Sequence, residues 1–211
     1  MLAMWLGVAL AAEPSAAEQR ALQQVHEIEW ARGSVLELAS QLAGAAPEAR
    51  ADVALALGRL REAEALDVLV ELRDDPAPAV RLAAAQALGW TPGSAEALRA
   101  WIAEEPRPSA PAARAAADEG VPVALIRSLG QAAVSEADVE VLRALLREPW
   151  PYGAAAARAI GRVAQREVPG ADAAVHDLFA RLDAPDPRLV ADVAWALARA
   201  KPAEAAPAEV A

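Results

Sequence analysis

One short motif recurs along this chain in a constant setting, and it narrows the fold to a single class. Ala56-Leu57-Gly58 and Ala87-Leu88-Gly89 are followed by the looser copies Ser128-Leu129-Gly130, Ala159-Ile160-Gly161 and Ala196-Leu197-Ala198. Successive copies stand 31, 41, 31 and 37 residues apart. Self-similarity at such periods marks a stacked helical array, in which each unit buries its apolar face only against its neighbours. Aligned on the glycine, residues 50–58 read R-A-D-V-A-L-A-L-G and 81–89 read R-L-A-A-A-Q-A-L-G. The same offsets give P-V-A-L-I-R-S-L-G over 122–130, G-A-A-A-A-R-A-I-G over 153–161 and V-A-D-V-A-W-A-L-A over 190–198. Each stretch predicts the first helix of a pair. A glycine inside a helix costs about 1 kcal/mol relative to alanine. Four at one register therefore need a reason: the glycine either ends the helix or admits a neighbouring backbone.

Second helices are expected over 62–73, 94–104, 135–147 and 172–182, where apolar residues recur at helical spacing, as in Val141, Leu142, Leu145 and Leu146. Proline-rich turns separate the units: Asp74-Asp75-Pro76-Ala77-Pro78, Glu105-Pro106-Arg107-Pro108, Pro149-Trp150-Pro151 and Pro185-Asp186-Pro187. Proline there stops one helix and pre-sets the next. Ahead of the array, Ser15-Ala16-Ala17-Glu18 and Ser34-Val35-Leu36-Glu37 form two capping boxes. They predict two short helices that cap the stack, with Gly33 between them at a C′ position. The 41-residue gap holds an alanine-rich stretch, Ser109 to Gly120, read as an inserted helix or a degenerate half repeat. The organisation expected is a leader over 1–11, capping helices over 12–46, the array over 47–200 and a disordered Pro/Ala/Glu tail over 201–211.

Asp74-Asp75-Pro76-Ala77-Pro78-Ala79-Val80-Arg81, followed by Leu82 to Gly89, resembles a HEAT repeat of the short bacterial type, whose hallmark is D-P-x-x-x-V-R-x-x-A-A-x-A-L-G. Arg50 and Arg81 occupy the family's arginine position, whereas Pro122, Gly153 and Val190 do not, so the later copies are degenerate. The resemblance covers about residues 47 to 200. It implies an all-α α-solenoid of about five HEAT-like helix pairs with an N-terminal helical cap. Glu18 to Gly89 also resembles the repeat portion of exported bacterial proteins that carry a cyclophilin-type peptidyl-prolyl isomerase domain. No Phe- and Gly-rich catalytic segment of that kind occurs here, and Phe179 is the only Phe. Some HEAT-like proteins are bilin lyases, but no residue beyond the repeat itself points that way.

Chemistry finds little footing in these residues. Cysteine is absent, which removes disulfides, thiol catalysis and thiolate metal sites. The two histidines, His26 and His176, belong to opposite ends of the array and cannot share a catalytic triad. No converging set of metal ligands or phosphate-binding glycine loop appears. The acidic pairs Asp74-Asp75 and Glu104-Glu105 sit at helix ends, where solvated turns are expected. A net charge of −10, with Lys201 the only lysine, argues against nucleic acid. The expectation is a chain without enzymatic activity, cofactor or metal.

Leu2 to Leu10 is an uncharged apolar run followed by a small-x-small pattern at Ala9-Leu10-Ala11. It reads as a secretory leader, although no Lys or Arg precedes it; the alternative is an apolar helix packed on the array. It is too short to span a bilayer, which takes about 20 apolar residues. A periplasmic or secreted location is expected, with a cytoplasmic one as the alternative. Partner contacts are expected at turn aromatics, Trp90, Trp150 and Tyr152, because Trp and Tyr dominate binding hot spots; otherwise each folds back as a lid over the core. Trp101, Trp195 and Phe179 stand at core-like positions. The second helices, taken to line the concave surface, offer Glu71, Asp138 and Asp177 among other charges. They form either ordinary solvated faces or an acidic groove for basic or extended peptides. Together these features predict a protein-interaction scaffold of the bacterial cell envelope. The alternatives are an accessory subunit or truncated relative of a HEAT-linked isomerase and, more remotely, a bilin-lyase-like protein.

Overall fold

The computed structural model describes residues 15–30, 33–107 and 120–200, which form eleven α-helices and no strand. The Leu2–Leu10 run read as a leader, nearly all of the Ser109–Gly120 segment and the 201–211 stretch fall outside the described residues. Two capping helices, α1 (Ala16–Trp30) and α2 (Val35–Ser40), precede α3 (Pro47–Leu60), α4 (Ala65–Glu71, continued by a 3-10 turn over Leu72–Asp74), α5 (Pro78–Leu88) and α6 (Ala95–Glu104). Then follow α7 (Val121–Ala132), α8 (Glu136–Leu145), α9 (Tyr152–Gln165), α10 (Ala171–Phe179) and α11 (Pro187–Ala200). Prolines 47, 78 and 122 occupy the first turns of α3, α5 and α7, where no backbone hydrogen bond is lost. The Ser34–Glu37 capping box forms as expected, with the Glu37 amide on Ser34 Oγ and Ser34 N–H on the Glu37 carboxylate. The Ser15 box rests on the Glu18 side chain, outside the described set.

The helices that carry the repeated motif, α3, α5, α7, α9 and α11, stack directly on one another. Their glycines explain why. A Cβ on Gly58 would lie 2.6 Å from Ala87 Cα, and one on Gly130 would lie 2.7 Å from Ala159 Cα. Gly89 meets Ser128 and Gly161 meets Ala196 in the same way. In each case the first residue of one motif docks on the last residue of the preceding motif. Gly58, Gly130 and Gly161 lie inside their helices and Gly89 caps α5 in a right-handed helical conformation, so close approach is the reason for the glycines and helix termination is not. The ladder also bridges the longest spacing, because α5 and α7 still stack at Gly89 and Ser128. Ala198, at the fifth register, is exposed.

Between this layer and the second helices lies one continuous apolar core, which includes Leu57, Leu69, Leu88, Leu98, Leu125, Leu129, Leu142, Ile160 and Leu178, each fully buried. In the second layer, α4 and α6 scarcely touch, and α6, α8 and α10 meet more sparingly than the motif helices do. A stack with one tightly packed layer bends toward that layer. The inner surface is therefore formed by the motif helices. This corrects the expectation that the second helices line it.

Candidate interaction surface

Two registers of the motif helices reach solvent, although Leu55 at one of them also packs on the core. They are the residue three before the motif glycine and the residue one after it, which share a helix face because they are four apart. Along the chain these pairs are Leu55 and Arg59, Gln86 and Trp90, Arg127 and Gln131, Arg158 and Arg162, and Trp195 and Arg199. All ten are exposed or half-buried. The first two pairs carry one cation, Arg59, which is bound to Glu29 of α1 at 2.7 Å. The last three carry four arginines. Arg188, at the start of α11, and Arg166, at the end of α9, add to them.

Little neutralises this arginine group. Arg158 donates to Asp192 at 2.5 Å, and Arg188 to Asp186 at 2.7 Å. Among the described residues, Arg127, Arg162 and Arg199 have no carboxylate partner. Arg166 donates to the carbonyls of Gln131 and Gly130 at 2.6 and 2.8 Å. Burial, reinforced by Arg127, Arg158, Arg199 and Arg166, holds the Arg162 guanidinium below its ordinary pKa. The opposite layer has the reverse sign: α8 and α10 carry Glu136, Asp138, Glu140, Asp172 and Asp177 against one arginine, Arg143.

Tryptophans stand among the arginines. The Arg188 guanidinium lies 4.0 Å from the Trp150 ring centroid, and Trp195 has Arg199 at 4.8 Å and Arg158 at 5.6 Å. Two clefts open on this face. One of about 210 Å³ is lined by Arg127, Trp150, Arg158, Arg188 and Asp192, with Ala154 at its floor. The other, of about 140 Å³, lies between α5 and α7 and is lined by Gln86, Trp90, Arg127 and Gln131. Arg127 belongs to both, so the two form one track across α5, α7, α9 and α11.

Of the residues singled out from sequence, Trp90 and Trp150 lie on this track, Trp90 exposed and Trp150 half-buried. Tyr152 does not: it is the first residue of α9 and is 4% exposed, part of the core, where burial raises its phenol pKa. Its place as a contact residue is therefore corrected. Asp138 is corrected too. It is fully buried as the N3 residue of a capping box, with Oδ2 accepting from the Val134 amide at 2.8 Å, the Ser135 amide at 2.9 Å and Ser135 Oγ at 2.8 Å, while Arg99 holds Oδ1. Burial pushes its carboxyl up, but these donors outweigh burial and the pKa falls below the usual range. Asp177 is half-buried and takes the Arg143 Nε at 2.6 Å, while Glu71 is exposed on α4. Trp195 and Phe179 are 38% and 48% exposed, so neither is a core residue; Trp101 is, with Nε1 donating to Glu105 at 2.9 Å.

Asp75 also departs from expectation. It is no solvated acid: Arg50 Nε and Nη2 donate to its two oxygens at 2.8 Å each, and the Ala77 amide donates to Oδ1 at 2.8 Å. The Arg50 guanidinium holds its carboxyl below the ordinary range. Arg81 braces the same turn through the carbonyls of Asp75 and Pro76. His26 and His176 are both exposed, on α1 and α10. Among the described residues no group of three His, Asp or Glu could hold a metal ion, and no helix is long and apolar enough to cross a membrane.

Residues 35–117 match the family model of HEAT repeats. That segment includes both arginines at the hallmark position and the Asp75-Pro76 turn that they brace. No curated protein sequence matches the chain. Among solved structures, the crystal structure of an engineered protein is similar, with 20% identity over 87% of this chain and 90% of that one and a TM-score of 0.52. Human deoxyhypusine hydroxylase, in complex with glycerol, aligns over 90% of this chain and 91% of its own at 18% identity, with a TM-score of only 0.36. The first likeness agrees with the α-solenoid fold.

Proposed function

We propose that this chain is a non-enzymatic scaffold that captures a protein partner on the inner face of its solenoid, in the cell envelope. The observation that carries the reading is the clustering of arginine and tryptophan along one track of that face, since these two residue types supply most interface hot spots. Trp90 and Trp150 are the aromatic anchors, and the exposed acids of the other layer, Glu71 foremost, form a secondary surface. The envelope location rests on the Leu2–Leu10 run and its small-x-small site.

Site-specific photo-crosslinking in the native host tests this, with the crosslinker placed once at Gln131 on the inner face and once at Glu71 on α4. The reading expects one protein crosslinked in near-stoichiometric yield from Gln131, in an envelope fraction. A crosslink from Glu71 alone, or from neither position, would overturn it.

A further inference from the structure

Resting on the scaffold reading, we infer that the arginine track binds an extended acidic peptide segment of its partner, with carboxylate side chains at the guanidinium groups of Arg127, Arg162 and Arg199. Charge complementarity argues for this occupant. In a chain of net charge −10, the exposed registers of α7, α9 and α11 gather four arginines, and three of these face no carboxylate among the described residues. Arg162 is half-buried beside Arg127, Arg158 and Arg199, so like charges crowd one another until an anion arrives. Asp192, which holds Arg158 at 2.5 Å, shows the geometry that a visiting carboxylate would repeat on its neighbours.

The track fits a peptide in length. It crosses four stacked helices, and three steps of about 8–10 Å give about 24–30 Å. An extended chain covers that in about eight residues, at 3.3–3.6 Å per residue. A single strand of nucleic acid is the competing polyanion. It would need open tryptophan faces on which bases could stack. Here the Trp150 ring is already covered by Arg188 and the Trp195 ring carries Arg199 and Arg158, which leaves Trp90 as a single open platform where a strand needs successive ones. A long phosphate chain would also run out over the acidic surroundings, which repel it.

Fluorescence anisotropy with the full chain tests the inference, using three labelled probes: a decapeptide of alternating Glu and Leu, its Lys-Leu counterpart, and a ten-nucleotide oligothymidylate. The Glu-Leu probe should bind at low salt, at least tenfold tighter than either of the others, and weaken as salt rises. R127E/R199E should lower its affinity at least tenfold, and Arg20→Glu, on the capping helix α1, should leave it unchanged. If R127E/R199E loses helical circular dichroism, R127Q/R199Q replaces it, with a loss of at least threefold expected. No binding of the Glu-Leu probe, or equal binding by the arginine variants, overturns the inference; tighter binding of the oligonucleotide assigns the track to nucleic acid instead. A partner crosslinked from Gln131 while the Glu-Leu probe fails to bind would sink this inference and leave the scaffold reading in place.

Discussion

The two ends of the motif layer use arginine in opposite ways. In the N-terminal half, Arg50 and Arg81 each sit eight residues before the motif glycine and reach into the Asp75-Pro76 turn, where they brace one repeat on the next. In the C-terminal half the equivalent positions are Pro122, Gly153 and Val190, and the arginines stand instead at the outward registers as Arg127, Arg158, Arg162 and Arg199. Yet the C-terminal helices stack as closely, through Gly130 on Ala159 and Gly161 on Ala196. Stacking therefore depends on the glycine ladder, and the arginine brace is an addition that the later repeats do without. Released from the turn, arginine there is free to make a surface.

Substitutions can break or sharpen this contrast. The largest effect is expected in the C-terminal half, where Tyr152→Ala should cost about 3–5 kcal/mol, as for other large buried side chains. Chemical denaturation measures it, and a cost near zero would return Tyr152 to the surface. In the N-terminal half, Leu88→Ala should cost about 2–5 kcal/mol, since Leu88 is fully buried. Next come the glycines. Helix propensity alone predicts that Gly58→Ala and Gly130→Ala gain about 1 kcal/mol each. The approach of Ala87 and Ala159 predicts a loss of about 1–3 kcal/mol at both, the same in the two halves. Arg50→Ala should then cost about 1–3 kcal/mol, by leaving Asp75 without its charged donor, whereas Arg199→Ala should cost less than about 0.5 kcal/mol.

Acid titration probes the same contrast from the carboxylate side. Asp75 and Asp138 both have folded-state pKa values below their ordinary ones. Each therefore contributes stability that is fully present above the unfolded value of about 3.9 and is lost as pH falls through the folded one. Asp75→Asn and Asp138→Asn should each flatten the fall of stability below about pH 4. A slope identical to that of the parent would mean that neither carboxylate is bound as described.

The fold could be read in the sequence because its cause is periodic. The A-L-G recurrence is itself the contact, one motif's alanine on the previous motif's glycine, so a pattern in one dimension reports a contact in three. Asp138 escaped because an acid in a helix's first turn ordinarily faces water. Its signal was present, since Ser135 three residues earlier completes a capping box. Tyr152 departs from the turn expectation because of its neighbours: Pro149-Trp150-Pro151 looks like a turn, but the helix begins directly after it and carries Tyr152 inward. The arginine track was hidden by net charge, which averages two layers of opposite sign. Aligning the repeats on the glycine and reading the registers three before and one after would have exposed it. The three-dimensional partners of Arg50 could not be read that way, because Asp75 lies 25 residues on, in the next repeat's turn.

A double-mutant cycle at Gly130 and Ala159 tests the glycine ladder most directly. A Cβ on Gly130 would lie 2.5 Å from the Ala159 Cβ, so removing that methyl should partly relieve the added one. The ladder predicts that Gly130→Ala destabilises the chain and that Ala159→Gly, harmful alone, recovers at least about 0.5 kcal/mol in its presence. Two strictly additive effects that follow helix propensity, a gain at 130 and a loss at 159, would contradict it.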